Sequence, residues 1–208
     1  MRSPPTPATN AITTATVAAY ALVWMSGTVT AADVLGGFIP ARVSGYMLPG
    51  ALPVWITPLS ATLLHGGIIH LGFNMLMLIF CGRMVEAAIG SVGMLLLYLA
   101  GAYVSAAAQY LAGPYDASPM IGASGAISAV FAGYALLYGK PRGFAGHPRL
   151  GLAVNIVWLA AAWIGVQFLM GLAFADLGMA IATAAHVGGF IAGLALIRPL
   201  LLWRHRGN

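Results

Sequence analysis

Apolar positions in this chain come in long unbroken runs, separated by short stretches where proline, glycine and charge collect. The runs cover residues 11–32, 59–80, 91–111, 120–138, 149–171 and 179–202. Each approaches the ~20 residues that a helix needs to cross hydrocarbon. None alternates apolar with polar at every second position, so the pattern predicts helices and not the strands of a barrel. The expected fold is an all-α membrane protein, six transmembrane helices in one membrane domain over residues 11–203. Residues 1–10 hold three prolines and little that could pack, and read as a disordered tail. Residues 204–208 read as a short basic tail. The run 11–32 ends in Thr30-Ala31-Ala32, small enough for signal cleavage, but it exceeds the ~7–15 apolar residues of such signals and is read as a span. Residues 33–58 carry four prolines and are not one helix. They are nevertheless apolar, and Tyr46 and Trp55 suit the membrane surface, so this first loop is expected to lie in the interface.

Composition sharpens that picture. The chain is 61% hydrophobic and 6% charged, against about 25% charged in soluble domains. No stretch is polar enough for a second, soluble domain. The net charge of +5 is spread singly over short links, which argues against nucleic acid and for a topological role. Six spans put both ends of the chain on one side. Arg2, Arg83, Lys140, Arg142, Arg149, Arg198, Arg204 and Arg206 then fall on that side with Glu86, and Arg42 alone falls opposite with Asp33, Asp116 and Asp176. This bias predicts cytoplasmic termini. The single cysteine, Cys81, has no disulfide partner and reads as a small buried hydrophobe. No metal or cofactor is expected. There is no cysteine pair or carboxylate cluster, His65 and His70 miss the four-residue spacing of a helical zinc motif, and no HExxH occurs.

Polar residues inside the runs carry the candidate chemistry. Gly122-Ala123-Ser124-Gly125 opens the fourth run. Flanking glycines clear space around a serine hydroxyl, which fits close approach by a reacting group. Gly125, Ala129 and Gly133 also form a small-residue row of the kind that packs membrane helices, and from this stretch alone packing is the favoured reading. With the spans as drawn, Ser124 lies about four residues inside the outer surface, roughly 6 Å, and His186 about seven, roughly 10 Å. An ionisable residue inside a span is a functional candidate by default, and neutral imidazole is the form a general base needs. A core histidine bonded to a carbonyl is the alternative. Gly189 and Gly193 share a helical face with His186 and would let that helix approach the serine's helix closely. His70 and Asn74, four apart, share one face of the second helix. They suit donation to an oxyanion, or interhelical hydrogen bonding. His65, five residues before His70, points elsewhere on a continuous helix and reads as interfacial or structural. His147 and His205 lie in basic exposed segments. An ion-coupled transporter is disfavoured, because all four acidic residues sit at span ends.

Taken in order along the chain, these features resemble the rhomboid family of intramembrane serine proteases, over nearly all of the chain after residue 45. Trp55, Thr57, His65, His70 and Asn74 are similar to the family's second-helix pattern, a tryptophan followed by HxxxN. Gly82-Arg83-Met84-Val85-Glu86 is similar to its GxxxE. Gly122-Ala123-Ser124-Gly125 is similar to its nucleophile motif, and Ala185-His186-Val187-Gly188-Gly189 with Gly193 to its last-helix motif. The resemblance implies a six-helix rhomboid bundle with Ser124 as nucleophile and His186 as its base. It implies an oxyanion hole from Asn74, His70 and the Ser124 backbone N–H, with no third acid. The implied partners are the lipid bilayer and the transmembrane segments of other proteins, cut near their outer end beside a small residue at a helix-weakening site. A bacterial inner membrane is the expected location, with the active site opening outward. Two positions depart from the pattern. Ile56 follows Trp55 where arginine is frequent, and Ser128 stands where many bacterial members carry a tyrosine that stacks on the histidine. The Met179 turn and the Phe168 region resemble the family's cap and lateral gate. The competing expectation is a catalytically inactive relative that binds membrane clients. Such relatives usually lose the serine or the histidine, and this chain keeps both.

Overall fold

The computed structural model describes residues 5–139, 148–175 and 182–206. These residues form helices α1 (Pro7–Met25), α2 (Val29–Gly36), α3 (Pro40–Val43), α4 (Thr57–Ser60), α5 (Ile68–Met77), α6 (Arg83–Ala112), α7 (Ser124–Tyr138), α8 (Pro148–Ala175) and α9 (Thr183–Arg204). A 3-10 turn, Ala61–Leu63, follows α4, and a π-helical stretch, Leu78–Gly82, joins α5 to α6. Extended pairing among the described residues is limited to one bridge, Phe38 with Met120.

Helix starts and stops differ from the apolar runs wherever a contact or a glycine decides them. The first helix begins at Pro7, inside the stretch expected to be disordered. Proline suits a first helical position, and the orphan N–H groups of Ala8 and Thr9 are taken by the distant Glu86 carboxylate at 2.9 and 2.7 Å. It ends at Met25 and not near residue 32, because Gly27 adopts φ +69 and closes the end with bonds from Gly27 N to Trp24 O and Thr28 N to Val23 O. The second helix starts at Ile68 and not at residue 59, since Leu64 is extended and Gly66 and Gly67 intervene. The fourth starts at Ser124 and not near Met120: Gly122 has φ +109, outside any right-handed helix. The third and sixth runs lie close to the observed helices. Lys140, Arg142 and His147 of the basic turn, Asp176 and Met179 lie outside the described residues.

The stretch from α5 through α6 is continuous in sequence but doubles back at Gly90 (φ 77, ψ 167). Met94 packs on Gly82, 3.2 Å from where a Cβ would stand. In a straight helix those residues would be about 18 Å apart. The two arms therefore run side by side, one from Ile68 to the turn and one from Ser91 to Ala112. Their exposed faces are apolar: Val92, Leu95, Leu96, Leu99 and Tyr103 lie outward, while Gly101 and Ser105 lie inward. Small residues line the closest helix contacts and many large apolar ones face out, as in a helix bundle surrounded by lipid. Among the described residues, Ile68–Ala112 and Thr183–Arg204 are long and apolar enough to cross a membrane, and Ser124–Tyr138 and Leu150–Val166 are apolar but shorter.

The second arm of α6, α7 and α9 form the tight centre. Gly101 receives Ala129 of α7, and a methyl at Gly193 or Gly189 would overlap the carbonyls of Ala129 and Gly125. Leu97, Met94, Val130 and Ile197 fill the space between, all fully buried. By contrast α8 rests on this centre through Trp163, stacked on Phe131 at 4.4 Å and near Phe190 at 6.5 Å. The first loop folds over the link before α7. Phe38 and Met120 exchange backbone bonds of 3.0 and 2.8 Å, Ala41 N donates to Asp116 O, and Gly122 N donates to Ala61 O at 2.9 Å. Tyr46, Met47 and Trp55 of this loop are exposed, the arrangement expected of an interfacial segment.

Candidate active site

Ser124 is the first residue of α7, His70 the third of α5 and His186 the fourth of α9. Three helix N-termini thus converge. Each presents unsatisfied N–H groups and the positive end of its dipole, a setting that favours negative charge. Ser124 and His70 stand nearer the start of their helices than the apolar runs imply, because the helices begin later than the runs do.

The Ser124 hydroxyl lies 2.6 Å from His186 Nε2. His186 is 6% exposed and its Nδ1 is buried without a partner among the described residues. Close packing of glycines makes this pairing possible. A Cβ on Gly125 would stand 2.6 Å from Ser105 Oγ, and one on Gly189 2.7 Å from the same atom. Ser105 of α6 is therefore wedged between α7, which carries Ser124, and α9, which carries His186. Its hydroxyl is buried and unpartnered among the described residues. Sequence reading missed it, since an isolated serine in an apolar run carries no signal.

Gly122 answers a different need. Its positive φ disfavours any side chain, and a Cβ there would lie 2.8 Å from His70 Nε2. The imidazole thus covers the backbone just before Ser124. Asn74 is buried, and its Nδ2 donates to the His70 carbonyl at 2.9 Å, one turn back on the same face. His70, Ser124 and His186 are brought together, and Asn74 stands one turn behind His70. The Ser124 N–H, at the first helical position, has no intrahelical acceptor.

His65 lies in the link before the second helix, and its burial agrees with the structural reading. It is 2% exposed, and its ring packs edge-on against His70 with centroids 5.0 Å apart. Ser128, the departure from the tyrosine pattern, is fully buried and donates to the Ser124 carbonyl at 2.7 Å, so its hydroxyl is used within its own helix. In the first loop that carries Ile56, Arg42 donates to Leu52 O at 2.7 Å. His205 is exposed, as expected.

A family model described as the rhomboid domain matches residues 53–203. The chain belongs to the rhomboid family. Family membership makes it a membrane-embedded, all-helical protein, and its similar proteins are bacterial. It is 35% identical over 140 residues to the rhomboid protease GlpG of Pectobacterium atrosepticum, covering 66% of this chain and 45% of that one. Against the rhomboid protease GlpG of Yersinia pestis it is 28% identical over 198 residues, 94% of this chain and 63% of the relative. The Serratia proteamaculans protein of the same name is 31% identical over 153 residues, 72% of this chain and 49% of that one. This rhomboid thus spans between about half and two thirds of the length of the curated relatives it matches. All five residues of the site region, His65, His70, Asn74, Ser124 and His186, lie inside the matched domain.

Proposed function

We propose that this rhomboid is an intramembrane serine endopeptidase that cuts transmembrane segments of other membrane proteins near their outer end. The observation that carries this reading is the 2.6 Å approach of Ser124 Oγ to His186 Nε2. In the mechanism, neutral His186 accepts the Ser124 proton as Oγ attacks the scissile carbonyl. The tetrahedral oxyanion is held by the Ser124 N–H, His70 and Asn74, with three helix N-termini behind them. The imidazolium then protonates the leaving amine, and the C–N bond breaks to give an acyl-enzyme. His186 next takes a proton from water, whose oxygen attacks the ester, and returning that proton to Ser124 Oγ releases a carboxylic acid. Ser124, at a helix start beside the first loop, is shallow enough for water to arrive. We place six spans in a bacterial inner membrane, both ends of the chain cytoplasmic and the site opening outward, in keeping with the lysine and arginine bias.

The test is cleavage of a membrane-inserted segment, small residue and helix breaker near its outer end, by the purified protein in proteoliposomes. Mass spectrometry is expected to find one cut after the small residue, in the outer third of the segment. A folded protein that binds the segment and leaves it intact would favour the client-binding relative instead.

Helix spacing gives a second prediction. In Gly189→Ala the new methyl would overlap the Gly125 carbonyl, so α9 must move off α7 and carry His186 away from Ser124. A displacement near 1 Å is expected to cost about 100-fold in kcat. Helix content by circular dichroism should stay unchanged. Turnover within twofold of wild type would mean that the spacing does not govern the dyad.

A further inference from the structure

His65 has no part in the chemistry proposed above, yet it touches both sides of it. Because the second helix begins at Ile68, His65 sits in the link before it and can fold back toward α7. Its Nε2 accepts a hydrogen bond from the Ala123 backbone N–H, long at 3.5 Å. Its ring edge meets His70, whose own ring covers Gly122. Ala123 is fully buried, and no other acceptor for its N–H is present among the described residues. With Gly122 N bonded to Ala61 O at 2.9 Å, the two peptide N–H groups immediately before Ser124 are both tied to the segment 61–65. The next N–H in line, that of Ser124, is the one left free for an oxyanion.

We infer that His65 is a positioning residue: it holds the Ala123 peptide and the His70 ring so that the Ser124 N–H and His70 aim at one point. The inference rests on the protease reading. An acceptor at Nε2 requires the proton on Nδ1, so the neutral Nδ1–H form is the competent one. A buried N–H that loses its acceptor swings to find another. Here such a swing would turn the backbone that carries the oxyanion donor.

Two substitutions separate positioning from bulk. His65→Leu keeps volume and removes the acceptor, and His65→Gln offers an amide oxygen near the place of Nε2. In the proteoliposome assay His65→Leu is expected to lose about 10- to 100-fold in kcat with KM within twofold, and His65→Gln to recover most of that loss. Amide hydrogen exchange over residues 120–126 should quicken in His65→Leu and return toward wild type in His65→Gln. Full turnover in His65→Leu beside an active wild type overturns the inference. So does a glutamine variant no better than leucine, or exchange at 120–126 that ignores the substitution. A folded wild type that cleaves nothing overturns the protease reading instead, and the exchange measurement still decides whether His65 holds the loop.

Discussion

Ser124→Ala and His186→Ala are each expected to abolish labelling by a fluorophosphonate probe and to lower peptide turnover by at least about 10⁴-fold. The double variant should be no worse than either single one. The hydroxyl and the imidazole are 2.6 Å apart, and in the proposed mechanism they act as a unit, so removing one leaves nothing for the other to do. Asn74→Ala and His70→Ala should behave differently. Each removes a donor to the oxyanion and not the nucleophile, so the loss is nearer 10²–10³-fold and slow labelling survives. Labelling that persists in Ser124→Ala would mean that another residue is the nucleophile. Equal losses in all four single variants would mean that the substitutions disturb packing and not separate roles.

The central pair was legible in the sequence because its signals are local. Glycines flank Ser124, and a histidine stands in an apolar run next to two glycines. What those glycines serve was only half legible. The small-residue row reads as helix packing, and packing is what it does at Gly133 and Gly193. At Gly125 and Gly189, however, the packing surface and the spacing of Ser124 from His186 are one feature, with Ser105 wedged between them. Position along the helix was misjudged for a simple reason. Hydropathy marks where a run is apolar and not where its helix begins. Gly122, at positive φ, and the Leu64–Gly67 link are apolar yet not helical. Only the direction of His65 was misjudged, on the same ground: a five-residue spacing from His70 points away only if both stand on one helix, and the two rings meet.

Placement of α8 marks the boundary of what local pattern can tell. Its run is as apolar as the others, and among the described residues it meets the centre through an aromatic stack, Trp163 on Phe131 and Phe190. Gly165 of α8, unlike the glycines between α9 and α7, has open space where a Cβ would stand. Stacked rings tolerate sliding, whereas carbonyls packed on glycine do not, because a packed backbone contact has no soft degree of freedom. The Ser124–His186 approach and the seating of Trp163 thus rest on two kinds of interface in one bundle.

The remaining long-range feature is the Glu86 carboxylate, and its loss should be the most destabilising change outside the site. Glu86 is 2% exposed. Its oxygens accept from Ala8 N at 2.9 Å, Thr9 N at 2.7 Å, Thr9 Oγ1 at 2.6 Å and Ser91 Oγ at 2.7 Å. One side chain therefore caps the start of α1 and ties it to both arms around the Gly90 turn. No pattern near Pro7 could have announced a cap that arrives from 77 residues away. Glu86→Ala strands those donors in a buried place, at a cost of at least about 3 kcal/mol, or about 10 °C in thermal midpoint for a chain of this size. Glu86→Gln keeps the shape and one acceptor oxygen but turns an amide N–H₂ toward donors, so its loss should be intermediate. Glu86 lies about 24 Å along the arm from His70. Both variants should therefore keep near-normal turnover at temperatures where they remain folded. Thermal unfolding in detergent beside a low-temperature cleavage assay separates the two effects. An unchanged midpoint in Glu86→Ala would mean that the cap does not hold α1, and a turnover loss at low temperature would mean that it also reaches the site.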